Sequence, residues 1–508
     1  MFAKTRSAAL MGIDAVPLDI EVDISSSLPA FIIVGLPDTS VSESRERVRS
    51  AITNSDFSFP YKRVTVNMAP ADIRKEGSGF DLPIAIGLLA ASEQIDTASL
   101  EEFILVGELA LNGELRRVNG VLPVVAMMKE LEVKNIIVPS ENAGEASLME
   151  NINVYPAKTL KEAIDILNAP ELFSIYRNQD EERWMPEYEV DFSDVRGQQL
   201  AKRAMEVAAA GGHNLLMIGP PGSGKTMLAK RFATILPRLS RSEALEVTRL
   251  YSISGLLGPG ESLVAECPFR SPHHSASRSG LIGGGSYPRP GEVSLSHRGV
   301  LFLDELPEFE RNVLEVLRQP LEDGKVTISR ANQTLTFPAR FMLLAAMNPC
   351  PCGFASDPVK ECSCSSGQIR RYLMKISGPL MDRIDLHIEV PRLKYDELKQ
   401  QTREESSSEI RNRVENARKI QHQRYRKNKI MTNAELSSRQ IKKYCAVPDE
   451  AEGLLKTAVE TLGLSARAHF RILKVARTIA DLANEETIKT EHIAEAIQYR
   501  TLDRNGYI

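Results

Sequence analysis

Residues 211–230 read GGHNLLMIGPPGSGKTMLAK. The apolar run from Leu215 to Ile218 has the length of a short buried strand. It leads into Gly219-Pro220-Pro221-Gly222-Ser223-Gly224-Lys225-Thr226, which fits G-x-x-x-x-G-K-[ST]. Met227, Leu228, Phe232 and Leu236 then recur at helical spacing. Each residue type has a chemical reason. Gly222 and Gly224 let backbone N–H groups turn inward around phosphate oxygens. The helix start adds positive potential at the same point. Lys225 is placed to reach the β- and γ-phosphates, and the Thr226 hydroxyl to ligate Mg²⁺. The expected ligands are ATP and Mg²⁺.

Downstream, Val300-Leu-Phe-Leu-Asp304-Glu305 is an apolar strand ending in two carboxylates. The pair has a joint rationale: Asp304 holds Mg²⁺ through water, and Glu305 polarises the attacking water. With the phosphate loop upstream, these are a Walker A and a Walker B motif. Residues 340–347 form a further apolar strand that ends at Asn348. A polar side chain there orients water near the γ-phosphate; the alternative is a plain turn residue before Pro349.

The chain has 508 residues, enough for two or three domains. Its 63 basic and 67 acidic residues give a net charge of -4, so any nucleic-acid contact must come from local patches. No apolar run approaches the roughly 20 residues of a membrane helix. The N-terminal stretch is broken by Asp14 and makes a poor signal peptide, so a cytoplasmic protein is expected. Four of the six cysteines fall close together: Cys350, Cys352, Cys362 and Cys364. Four thiolates are a complete tetrahedral set for structural zinc. The C-x-C spacing is tighter than is common, and an Fe–S cluster or reduced surface thiols stay as alternatives.

Before the motor, residues 18–24 alternate as a half-buried strand does. Residues 41–52 and 82–91 read as helices, and residues 63–68, 103–106 and 135–138 as short strands. That mixture indicates an α+β domain. Residues 75–83 and 107–122 resemble the Lon-protease-like domain that precedes magnesium-chelatase-type ATPase modules. Lon proteases place a Ser–Lys dyad in these segments. Gly79 and Leu122 hold the equivalent positions here, and Ser78 is one place off register. A nucleophile without its activating base is inert, so the domain is expected to be non-catalytic. An acidic stretch with the only tryptophan, Trp184, then reads as a linker.

Other segments add to the resemblance. Residues 191–198 resemble the segment that cups adenine in AAA+ ATPases. Gly378-Pro-Leu-Met-Asp-Arg383-Ile-Asp385 resembles the arginine-finger segment of magnesium-chelatase and MCM-type modules. An arginine acting on a neighbour's γ-phosphate stabilises transition-state charge, which implies a ring. The alternative is a salt bridge from Arg383 to Asp382 or Asp385. Residues 254–285 form a glycine-rich insertion, and residues 324–337 a hairpin turning at 330–332. Related motors project such loops into the ring channel, where Lys325 and Arg330 would touch a DNA backbone. Solvated charges on an exposed hairpin are the alternative.

Residues 396–508 read as helical. Residues 410–430 carry Arg411, Arg413, Arg418, Lys419, Arg424, Arg426, Lys427 and Lys429 against Glu415 alone. Such a run is either a solvated face or a nucleic-acid contact, with Arg424, Arg426 and Lys427 as candidates. Residues 463–477 resemble the sensor-2 helix of the same clade. That register gives Arg467 the γ-phosphate role, with Arg471 one turn along as the alternative.

Together these segments resemble the ComM/YifB family of magnesium-chelatase-like AAA+ ATPases. The implied architecture is α/β and multidomain. A Lon-protease-like α+β domain spans 1–168 and a linker 169–190. An AAA+ P-loop α/β core spans 191–395, with the four-cysteine insertion at 350–364, and a helical lid spans 396–508. The resemblance implies a ring-forming motor, a hexamer, on single-stranded or branched DNA. It would drive branch migration when transformed DNA recombines. A protein-remodelling or metal-chelatase-like motor without DNA activity is the competing class. Intact Lys225, Glu305 and Arg383 argue against a vestigial scaffold.

Overall fold

Leu18, Ile20, Val22 and Ile24 point into a core and are almost fully buried, as the alternation requires. They belong to a strand longer than the pattern alone suggests. In the computed structural model, β1 (Phe2–Met11) pairs antiparallel with β2 (Asp14–Ser25) along its whole length. The structure describes residues 1–177, 188–258, 260–285, 287–330, 333–355, 357, 359–393, 404–427 and 430–502. Two compact units emerge: Met1–Met185 with Arg241–Ala265, and Pro186–Ser240 with Glu266–Ile508.

In the first unit, β3 (Ala30–Val34), β4 (Arg63–Ala69) and β5 (Phe103–Leu105) join the same sheet. A small hairpin of β6 (Glu108–Leu109) and β7 (Leu115–Arg116) follows, then β8 (Asn135–Pro139) and β9 (Asn153–Ala157). The seven-stranded order is β3-β4-β2-β1-β5-β8-β9. The helix Asp81–Ala91 is buried along its whole length, as its uniformly apolar sequence demands. Ser78 Oγ bonds the Glu108 carboxylate, and the buried Lys75 Nζ donates to the Pro70 carbonyl. Among the described residues no hydrogen bond joins Ser78 to a lysine.

By sequence, residues 241–265 belong to the 191–395 core; in the structure they pack in the first unit. The cause is the helix Arg241–Ile253. It buries Ala244, Val247 and Leu250 at helical spacing, and Ser252 Oγ donates to the buried Glu145. Leu245 and Leu263 pack against the apolar cluster around β5 and β8. Arg117 Nη1 donates to the Gly258 carbonyl at 3.0 Å. Residues 169–177 also stay with this unit, where Phe173 and Ile175 pack against the core. The rest of the expected linker, Trp184 included, falls mostly outside the described residues.

The second unit is built on a parallel sheet. Its strands are β10 (Leu215–Ile218), β11 (Phe269–Arg270), β14 (Val300–Leu303), β17 (Met342–Met347) and β18 (Leu386–Glu389). The strand pairs β12 (Gly283–Gly284) with β13 (Arg289–Pro290), and β15 (Lys325–Arg330) with β16 (Gln333–Pro338), stand apart as antiparallel hairpins. The sheet order is β11-β14-β17-β10-β18. The chain leaves β10 for the far edge, returns through β14 and β17, and crosses β10 to reach β18. That reversal makes a crevice at the carboxyl end of β10, where open α/β sheets bind ligands.

The lid helices share one apolar core with this sheet. Helix Ser407–Tyr425 buries Ile410, Val414, Ala417, Gln421 and Tyr425 on one face. Its arginines are answered within the unit. Arg418 donates to the Ala209 carbonyl at 2.8 Å, and Arg411 Nε to the Thr234 carbonyl at 2.8 Å. Arg413 pairs with Glu206 and Glu405, and Arg424 makes a two-point pair with the buried Asp481. Arg424, a DNA candidate by sequence, is thus engaged with a buried carboxylate of its own unit. Arg426 and Lys427 remain exposed; Lys429 lies outside the described residues. No helix among the described residues is long and apolar enough to cross a membrane.

Candidate nucleotide site and cysteine cluster

The site starts where β10 ends. Gly219 N donates to the Met347 carbonyl at 3.2 Å, joining the loop to β17. Gly222 (φ +77°) and Gly224 (φ +93°) occupy the left-handed region, and a Cβ on either would meet nothing within 4 Å. Glycine is required there by backbone conformation, and the open space is where a phosphate approaches. Ser223 between them is buried, while Pro221 is exposed.

Helix Lys225–Phe232 begins at the lysine itself. Lys225 Nζ donates to the Gly219 carbonyl at 2.8 Å, to the Pro220 carbonyl at 3.0 Å and to Asn348 Oδ1 at 3.3 Å. Burial lowers its pKa, and the Asp304 and Glu305 carboxylates oppose that shift. Thr226 Oγ1 donates to Asp304 Oδ2 at 2.7 Å, so the two Walker motifs meet. One hydroxyl and one carboxylate side by side suit Mg²⁺, a hard cation that takes oxygen ligands.

Glu305 has a left-handed backbone (φ +52°), rare for a non-glycine residue. Its side chain is exposed. Its Oε2 lies 3.5 Å from His274 Nδ1. His274 stacks on His273, with ring centroids 4.0 Å apart, and meets Phe309 edge-on. His274 was not legible in the sequence: the parallel pairing of β11 with β14 brings the loop after β11 beside the end of β14.

The three arginines separate cleanly. Arg471 pairs with Asp385, a buried carboxylate that also accepts from Asn214 N at 3.1 Å. Burial, the largest single influence on the Asp385 acid, would raise its pKa; Arg471 and His213 outweigh it and hold the group far below its ordinary range. Arg467 is 62% exposed and lies 3.9 Å from Asp382. Arg383 is buried and pairs with Glu322. Its partner is therefore neither Asp382 nor Asp385, because those two face Arg467 and Arg471.

Lys325 and Arg330 are exposed on β15. The hairpin lies beside the glycine-rich insertion: a Cβ at Gly283 would meet Ile328 Cδ1 at 2.8 Å, and one at Gly284 would meet Arg330 Nη2 at 3.3 Å. The turn residues 331 and 332 lie outside the described residues.

The four clustered cysteines converge. Sγ of Cys350 lies 3.3 Å from Cys352 and 3.6 Å from Cys362, and Cys352 lies 3.5 Å from Cys362. All four sulfurs fall within 4.8 Å of one another. None is in a disulfide. Sulfurs about 2.3 Å from a shared tetrahedral centre would be spaced by about 3.8 Å, so the arrangement fits a metal.

Comparison with known proteins agrees with this geometry. The family described as "Magnesium chelatase, subunit ChlI" matches residues 191–398. "Subunit ChlI of Mg-chelatase" matches residues 20–142, and the ChlI C-terminal family matches 404–500. The competence protein ComM of Haemophilus influenzae is 47% identical over 99% of this chain and 98% of its own. The uncharacterised YifB of Salmonella typhimurium is 46% identical over 99% and 97%. A magnesium-chelatase 67 kDa subunit of Chlorobaculum parvum is 28% identical over 32% of this chain and 23% of its own. With full-length identity to ComM and YifB, and three magnesium-chelatase families falling in order along it, the chain belongs to the ComM/YifB family of magnesium-chelatase-like AAA+ proteins.

Proposed function

We propose that this protein is an ATP-hydrolysing AAA+ motor that assembles as a hexameric ring and drives branch migration of DNA in natural transformation. One observation carries the ATPase: Lys225, Thr226, Asp304, Glu305 and Asn348 lie together at the carboxyl ends of the neighbouring strands β10, β14 and β17. In this reading residues 219–226 cradle the phosphates, and Thr226 and Asp304 hold Mg²⁺, which neutralises developing phosphate charge. Glu305 accepts the proton of the attacking water, and Asn348 orients it. Arg383 reaches a neighbour's γ-phosphate, and Arg467 serves as sensor 2. Residues 1–168 act as a Lon-like platform without a dyad, and the four cysteines hold structural zinc. The protein works in the cytoplasm, where ATP and incoming DNA meet.

Support for DNA comes from the competence name of a full-length relative and from the exposed Lys325 and Arg330 on the β15–β16 hairpin. The partial match to a magnesium-chelatase subunit favours the second reading, a remodelling motor without DNA. ATPase rate with and without single-stranded, duplex and branched DNA separates the two. Arg330→Ala is expected to weaken DNA binding and to lower the ratio of DNA-stimulated to DNA-free turnover. Removing one phosphate-binding cation should flatten the log–log salt slope by roughly 0.7–0.9. Arg426→Ala/Lys427→Ala is the comparison, with Arg424 left intact to keep Asp481 paired. Unchanged affinity and slope in both variants would shift the assignment to the remodelling motor.

A further inference from the structure

The cysteine cluster does not sit apart from the nucleotide site. Cys350 follows Asn348 by two residues, with Pro349 between. Gly353, inside the loop, has φ +85°, and a Cβ there would lie 2.6 Å from Pro221 Cδ and 3.8 Å from Asn348 Cγ. The loop backbone therefore rests on the tip of the phosphate loop, with no room for any side chain between. The far flank returns to the same place. Cys364 is followed by helix Ser366–Leu373, started by a Ser365/Gln368 capping box. That helix carries the buried Tyr372, beside the Asn348 backbone. Both flanks of the loop that the four sulfurs close thus lie beside Asn348, and its Oδ1 in turn meets Lys225 Nζ.

The described part of this loop has no regular secondary structure between β17 and that helix. A loop of this kind needs a cross-link to hold one shape, and a metal on four thiolates supplies it. We propose that Cys350, Cys352, Cys362 and Cys364 bind one zinc ion, and that this ion clamps Asn348 and Pro221 against Lys225, so that zinc occupancy sets the rate of ATP turnover. The inference rests on the ATPase assignment above. Zinc here is a positioning device: it touches no substrate and acts through Asn348 and the phosphate loop.

The test uses the full chain, purified without added metal. Metal analysis is expected to find one zinc per chain. Cys362→Ser/Cys364→Ser changes the pair farther along the chain from Asn348 and should lose the metal. Its circular dichroism should stay native, and equilibrium binding of a fluorescent ATP analogue should change little. Its kcat should fall by about ten-fold or more with KM nearly unchanged, the split expected when an orienting group is lost and binding groups remain. Stripping zinc from folded wild-type protein with a mercurial and a chelator gives the same species without mutation. Its turnover should return on adding zinc. Metal-free purified protein with four titratable thiols would overturn the site, and iron in place of zinc would overturn the metal. A native, zinc-free protein with wild-type kcat and KM would overturn the coupling. Zinc-replete wild type with no turnover under any DNA condition would instead sink the ATPase assignment.

Discussion

Glu305→Gln protein is expected to bind ATP and to turn it over about 10²–10⁴-fold more slowly than wild type, the usual worth of a positioned general base. The substitution keeps the shape of the side chain and removes only its capacity to take a proton. Thr226 keeps its bond to Asp304 and Lys225 its bond to Asn348, so nucleotide affinity should hold. Lys225→Ala should behave differently. Its ammonium is the donor shared by Gly219, Pro220 and Asn348, and its loss removes the charge that would meet the phosphates. Binding should fail, not only turnover. The three acceptors also lose their partner, at a cost of about 1–3 kcal/mol in stability. Thermal unfolding of both variants therefore belongs beside the nucleotide-binding curve. Normal turnover by purified Glu305→Gln protein would remove Glu305 from the mechanism.

These side chains were legible because their chemistry is local. Leu215–Ile218 and Val300–Leu303 are short apolar strands whose last residues lead into the functional ones, and both form as the pattern says. Strand β1 was not legible. Its inward residues include Ala3, Thr5, Ser7 and Ala9, too small or too polar to make a hydrophobic period. They are at home in the core because Thr5 Oγ1 finds the Pro83 carbonyl and Ser7 Oγ the Leu105 carbonyl. Those partners are set by tertiary pairing, which no window of sequence contains. The basic lid helix failed for the same reason in charge. Its arginines look unanswered until Glu206 and Asp481 arrive from distant segments. Helix Arg241–Ile253 is amphipathic, but periodicity says that a face is apolar and not which unit covers it.

Arg383 is the residue whose role one chain cannot decide by itself. Its guanidinium pairs with Glu322, a carboxylate that is 56% exposed. Two accounts follow. In one, the pair is structural and serves the chain that holds it. In the other, it parks an arginine that a neighbouring subunit's nucleotide recruits. Arg383→Ala should bind ATP and lose about 10³-fold or more in hydrolysis if it is a finger. Loss alone does not separate the accounts, because a structural arginine can also be needed. Mixed rings do. Arg383→Ala and Glu305→Gln chains, co-expressed with different tags and purified on both, are each inactive alone. With Arg383 acting across the interface, a working site needs an intact Glu305 in one subunit and an intact Arg383 in the next. In a six-membered ring, equal random mixing supplies that pairing at about one interface in four. About a quarter of wild-type turnover should return. With Arg383 acting within its own chain, no subunit in the mixture carries both groups, and turnover stays at the background of the single variants. Glu322→Ala completes the comparison. It breaks the same ion pair and leaves the arginine, so it should keep hydrolysis within a few-fold of wild type, as expected for a partly exposed pair. Glu322→Ala as inactive as Arg383→Ala, together with mixtures that never recover, would assign Arg383 to its own subunit's structure and remove the finger.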